Sequence, residues 1–245
     1  MNTRLQHEIE HGRYLIESGN PELIWNWDTP AGRVRANRRG ALLTQAAQLK
    51  PGMKVLEVGC GTGLFTEMMA RSGAHILAVD ISPELIEEAR KRSLPADQVE
   101  WRAIAFEECA DTSFDAIVGS SVLHHLEMTP ALKRMYQLLK PGGRLAFAEP
   151  NMLNPQVWAE RNIESVRRRN GASPDETAIV RWRLARDLRD IGFTDVHIRN
   201  TDWLHPATPP ALIPAVASLG LLLEKVPLIR EFSGSVLIQA RKPAS

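Results

Sequence analysis

Short apolar runs alternate with amphipathic stretches along most of this chain. "MKVLEVG" (53–59), "AHILAVD" (74–80), "QVEWRAI" (98–104), "SFDAIVGS" (113–120) and "RLAFAEP" (144–150) are compact and β-prone, and each predicts a strand. Helices are predicted between them over 62–73, 82–92 and 129–143. The second of these has Ser82 at the N-cap, Pro83 at the first helical position and acids in its first turn. The third stops at a Pro-Gly-Gly run. Further helices are predicted over 3–18, 33–49 and 178–192, and further strands near 194–199 and 235–241. Strands that alternate with helices imply a mostly parallel α/β sheet with helices on both faces.

The stretch 19–32 is turn-rich and holds Trp25 and Trp27. Residues 151–177 interrupt the alternation and read as an insertion. The expected organisation is one domain over 1–245: a helical cap over 1–50, a ligand-binding core over 51–150, a lid over 151–177 and the rest of the sheet over 178–245. The uncharged run His205–Leu223 is near membrane-spanning length, but Pro206, Pro209, Pro210 and Pro214 break its first half. No transmembrane helix is therefore expected.

At 245 residues the chain can bury a sizeable core, and its formal net charge of +1 gives no field that would attract nucleic acid. Cys60 and Cys109 have no metal-ligand spacing, so no metal site is expected. The charged N-terminus lacks a signal peptide's apolar centre, which predicts a cytoplasmic protein with free thiols.

The candidate chemistry starts at "VLEVGCGTG" (55–63), where Gly59, Gly61 and Gly63 follow the first strand of the core. A strand, a glycine turn and a helix start place backbone N–H groups at the carboxyl edge of a parallel sheet, where ligands bind. The pyrophosphate pattern G-x-G-x-x-G fails because Leu64 holds the last position, and no G-K-[ST] follows. That disfavours a nicotinamide oxidoreductase. Asp80 ends the second strand 21 residues after Gly59, where an acid accepts hydrogen bonds from ribose hydroxyls. Loop and acid together suggest a nucleoside with a non-phosphate tail.

Four motifs in order resemble those of class I S-adenosylmethionine-dependent methyltransferases, in their small-molecule branch: "VLEVGCGTG", "AVDIS" (78–82), "SFDAIVGSSVLHHL" (113–126) and "LLKPGGRLAFAEP" (138–150). The resemblance covers roughly 40–150 and implies a Rossmann-like sheet of seven strands with the last antiparallel, a place that 234–242 suits. It implies S-adenosylmethionine as cofactor and S-adenosylhomocysteine as product. Gly59 and Gly61 would pass beneath the methionine part, Glu57 would orient the loop or the amino group, Asp80 would take the ribose hydroxyls, and Ile81 would lie against adenine. Relatives often carry an adenine-binding aspartate after the third strand. Ala105 stands there in this chain, which leaves the backbone near Ala105 and Phe106 for that task. Ser120 would touch the methionine amino group or simply cap the strand end. Arg33, Arg35, Arg38 and Arg39 read as a solvated helix face, or one of them clamps the cofactor carboxylate.

Methyl transfer from a sulfonium needs an in-line acceptor, and a base only if the nucleophile must lose a proton. His124 and His125 are the candidate bases, or else structural parts of the motif. If they lie on one helix, their side chains point about 100° apart and a single one faces the pocket. No Asn-Pro-Pro-aromatic run follows the fourth strand, so an amino group of a base or of glutamine is a poor acceptor. Residues 151–170 and the apolar run to Leu223 are expected to wall the acceptor side, with Trp25 and Trp27 closing a third side. The expected acceptor is small and hydrophobic or lipid-like, with peripheral membrane contact through 207–223 as a further expectation. The alternative is a regulatory or assembly module that binds the cofactor without transferring its methyl.

Overall fold

A computed structural model describes residues 3–163 and 179–244. Its sheet has seven strands: β1 (Lys54–Val58), β2 (His75–Asp80), β3 (Val99–Ala103), β4 (Phe114–Ser120), β5 (Leu139–Pro150), β6 (Thr194–Thr201) and β7 (Ser235–Arg241). Their spatial order is β3-β2-β1-β4-β5-β7-β6. β7 runs antiparallel to both neighbours and the other six strands share one direction. The chain winds outward from β1 to β3, then starts again at β4 and winds the other way. The loops after β1 and β4 therefore flank the switch point, the crevice where such sheets bind ligands.

Strand periodicity sends alternate residues to two cores. Leu56, Val58, Ile117, Leu145 and Phe147 face α6 (Met128–Leu138) and the helix at Arg181–Ile191. Val55, Ala78, Val118 and Ala146 face α3 (Pro30–Ala47), α4 (Leu64–Ala70) and α5 (Pro83–Arg90). Two shorter-range helices, α1 (Thr3–Glu17) and α2 (Pro21–Ile24), precede them. After β5 come α7 (Pro155–Asn162), α8 (the Arg181–Ile191 helix) and α9 (Ile213–Leu223). Among the described residues no helix is long and apolar enough to cross a membrane.

Local chemistry explains the element ends. Ser82 caps α5 by accepting from the Leu85 N–H at 3.2 Å. α3 starts earlier than expected, because Thr29 accepts from the Gly32 N–H at 2.9 Å and Pro30 takes the first helical position. The expected helix over 129–143 ends at Leu138, and the Pro-Gly-Gly run lies inside β5 instead. There the register with β4 slips between Phe114 and Ala116, and Gly142 at φ 79° absorbs the bulge. Within the segment 151–177, expected as a lid, α7 occupies Pro155–Asn162; 164–178 lies outside the described residues. The expected helix over 178–192 is α8, at 181–191.

Candidate functional site

The glycine loop turns out of β1 with φ of 65° at Gly59, 53° at Gly61 and 76° at Gly63. These left-handed values disfavour any side chain. A Cβ at Gly59 would fall 2.4 Å from Val122 Cγ2, in the loop after β4, so the two switch-point loops touch there. At Gly61 the nearest atom would be Trp25 Cη2 at 3.3 Å, in a ring that lies against the loop. Gly59→Ala is therefore expected to cost more than Gly61→Ala. Both incur the ~1–2 kcal/mol left-handed penalty, and only the first adds an overpacking cost of ~1–3 kcal/mol. Urea titrations of the two variants check this, and equal losses would refute it.

The N-terminal segment is latched onto this loop. Glu22 of α2 accepts from the Thr62 hydroxyl at 2.8 Å. Arg92 pairs with both Glu22 and Glu67 and donates to the Thr62 carbonyl at 2.6 Å. Trp27 makes an edge contact with Phe65 at 5.4 Å between ring centroids.

Asp80, at the end of β2, accepts from the Gly61 N–H at 2.9 Å and the Ser82 N–H at 3.0 Å. Burial raises its carboxyl above the ordinary value, with those two N–H groups opposing the rise. A carboxylate has about four lone-pair sites, so capacity remains for further donors. Glu57, one strand away, is buried, and burial pushes its carboxyl up to about 8. The Thr66 hydroxyl opposes that rise, while Glu57 Oε2 makes no well-formed hydrogen bond among the described residues. Ile81 is half-buried beside Asp80. Ala105 precedes a single 3₁₀ turn at Phe106–Glu108, and the Phe106 side chain is packed in the core with Leu56 and Val58. What Phe106 offers the site is its backbone.

At the end of β4, Arg39 of α3 donates to Ser120 Oγ at 3.2 Å, Ser121 Oγ at 2.9 Å and Ser235 Oγ at 2.6 Å. Its guanidinium also lies 4.8 Å from the Trp27 ring centroid. Burial lowers its pKa to about 10, so it stays a cation at neutral pH. The solvated face expected for these arginines is found at Arg33. Arg35 pairs with Asp202 at 2.9 Å, Arg38 grips Glu224 with two bonds of 2.6 Å, and Arg39 is buried. The packing of α3 across β4, β5 and β7 turns these three side chains inward.

His124 and His125 lie on a 3₁₀ turn, Leu123–His125, rather than on an α-helix. Their rings do not diverge as expected; the centroids are 4.2 Å apart. His124 is buried with Nδ1 2.7 Å from Glu149 Oε2, and Glu149 Oε1 accepts from the Val122 and Leu123 N–H groups at 2.9 Å each. Burial opposes ionisation of Glu149, yet these donors hold its carboxyl below the ordinary range. An ionised carboxylate only accepts, so His124 Nδ1 carries the proton. His125 is partly exposed and sits 3.0 Å from Glu8 Oε2 of α1.

Helix α1 forms the roof. Gly12 rests on Ser82, where a Cβ would come within 2.5 Å of the hydroxyl, and Arg13 pairs with Glu84 at 3.0 Å. Gly59, Gly61, Asp80, Ser120 and His125 thus gather at one edge. Glu149, Glu8 and the Glu22–Arg92 latch also belong to it, and sequence reasoning missed them. Glu149 had a visible signal, an acid closing an otherwise apolar strand; the latch had none, because its partners are distant in sequence.

A family model described as a methyltransferase domain matches residues 56–147. A ubiquinone biosynthesis O-methyltransferase of Xanthomonas axonopodis pv. citri is 39% identical over 133 residues, which cover 52% of this chain and 56% of that protein. The chain thus spans little more than half the length of the curated relative. The N-methyltransferase NodS of Bradyrhizobium japonicum, solved with S-adenosylhomocysteine, superposes with a TM-score of 0.60 at 22% identity over 98% of this chain and 96% of that one. The [4+2]-cyclase SpnF superposes with a TM-score of 0.58 at 20% identity over 85% and 82%. At such identities the two structures speak to the fold alone. Over residues 56–147 the chain thus matches a methyltransferase domain, and its motif order and sheet topology are those that the resemblance to class I S-adenosylmethionine-dependent methyltransferases implies.

Proposed function

We propose that the protein transfers a methyl group from S-adenosylmethionine to a hydroxyl of a small, hydrophobic acceptor. The observation that carries the cofactor site is the junction of Asp80 with the glycine loop: a half-satisfied carboxylate beside a backbone that admits no side chain. The buried Glu57 carboxyl beneath the same loop fits a cationic ligand group, which would favour its ionised form against the desolvation that raises it. When bound, the cofactor supplies an electrophilic methyl.

The chain's own residues have distinct parts in this reading. Asp80 binds the ribose hydroxyls, Gly59 and Gly61 give room for close approach, and Ile81 with the backbone of Ala105 and Phe106 holds the adenine. Arg39, desolvated and hydrogen-bonded to three serine hydroxyls, attracts the cofactor carboxylate, with Ser120 fixing its orientation. His125, beside Glu8, takes the acceptor's proton, while Glu149 fixes the imidazole of its neighbour His124. Helices α1 and α2 close the cofactor side, and α7 and α9 stand on the acceptor side. Two buried free thiols, Cys60 and Cys109, suit a reducing compartment.

The hydroxyl acceptor draws support from the O-methyltransferase named among the relatives. Its hydrophobic character draws support from the apolar α9. Calorimetry with S-adenosylhomocysteine, followed by a labelled-methyl screen of apolar phenols and alcohols, tests the proposal. Silent calorimetry on folded protein defeats the cofactor site. Binding with no transfer across the panel favours the module that holds cofactor without using it.

A further inference from the structure

We propose that the face built from α9 and the segment after it docks on an anionic lipid bilayer, which presents the acceptor to the site. This rests on the reading above that the acceptor is hydrophobic. Helix α9 is reversed relative to an ordinary surface helix. Ile213 and Gly220 point inward, the latter against Trp203, and Val216 packs with Ala31 and Leu204. Leu212, Leu219, Leu222 and Val226 recur at helical spacing on the outside, and Leu219 and Leu222 are 54% and 59% exposed. The chain then presents Leu228 at 79% and Phe232 at 49% exposure. Isolated exposed apolar residues need no cause, but a helical stripe continued by a second apolar segment does.

Position ties this face to the site. β6 is parallel to β1, so its end at Thr201 lies on the ligand edge, and α9 follows it there. The turn before β7 returns at the same edge, where Asn154 holds the Phe232 carbonyl at 2.8 Å next to α7. Trp158 of α7 is 51% exposed, a residue suited to a membrane interface.

Charge selects the occupant. The acids of the segment are engaged, Glu224 by Arg38 and Glu231 by Arg181. Lys225 stands beside the apolar stripe, and Arg230 shares Glu231 with Arg181 at 3.5 Å, so four cations stand against two acids. An anionic headgroup layer complements that balance. A second copy docked face to face would oppose Lys225 and Arg230 to themselves.

Sedimentation of the full chain with vesicles tests this. Phosphatidylcholine vesicles containing phosphatidylglycerol should bind the protein, with binding weakened by salt, and pure phosphatidylcholine should bind it less. Lys225→Gln and Arg230→Gln should each lower the partition about fivefold, the equivalent of ~1 kcal/mol per cation. Leu219→Asn with Leu222→Asn should abolish it while the melting temperature and S-adenosylhomocysteine affinity stay at parental values. No binding to anionic vesicles, or variants that bind like the parent, overturns the proposal. So does a dimer in analytical ultracentrifugation that the double leucine variant dissolves. Vesicle binding is read without turnover, so it can fail while cofactor binding stands, and the reverse.

Discussion

Asp80→Ala is expected to weaken S-adenosylhomocysteine binding roughly ten- to a hundredfold, because each hydrogen bond to a charged acceptor contributes ~1.5–3 kcal/mol. The same change strips the partner from the Gly61 and Ser82 N–H groups. A loss of affinity could therefore reflect a loosened loop as well as a lost ribose contact. A cycle with a ligand lacking one ribose hydroxyl separates the two. The parent protein should discriminate against that ligand, and Asp80→Ala should bind both ligands alike. Discrimination that survives the substitution would remove Asp80 from the ribose.

The second large effect is on stability. Glu149→Gln should destabilise the fold by about 3 kcal/mol, since breaking a buried ionic pair leaves its partners unmatched. For a chain of this size that is a fall in Tm of roughly 6–12 °C. The carboxylate serves three donors at once: the Val122 and Leu123 N–H groups and His124 Nδ1. One amide oxygen cannot take the place of both carboxylate oxygens in that arrangement. Because the folded carboxyl titrates below its ordinary value, its stabilisation is complete above the ordinary carboxylate range. It fades as pH falls through the folded value, so parent and variant stability curves should converge in acid. Parallel curves down to acid pH would show that Glu149 does not carry this linkage.

Much of this molecule is legible in local sequence. The strands β1 to β5 announce themselves because a sheet covered on both faces must be apolar on both, as in "KVLEV" and "HILAV". Gly59, Gly61 and Asp80 were readable because loop conformation and strand end are short-range properties. The fate of Arg35, Arg38 and Arg39 was not. Whether a helical arginine faces water or protein depends on what packs over it, and their partners Asp202, Glu224 and Ser235 lie more than 160 residues away. The boundary at Leu138 failed for a related reason: Pro-Gly-Gly stops a helix in isolation, but pairing with β4 recruits the same residues into a bulged strand. His124 and His125 stand out in the sequence as a pair, but their shared 3₁₀ turn is set by Glu149 binding the turn's N–H groups.

The placement of β7 has a consequence for how the molecule is made. The last strand of the sheet lies between β5 and β6, and among the described residues β6 joins the sheet through it alone. A chain leaving the ribosome can assemble the nucleoside-binding half while β6 still has no neighbour to join. Closure waits for residues 235–241, whose register with β5 spans about ninety residues of intervening sequence and makes this a slow, non-local step. Until then the free edge of β5 is open to pairing with other nascent chains.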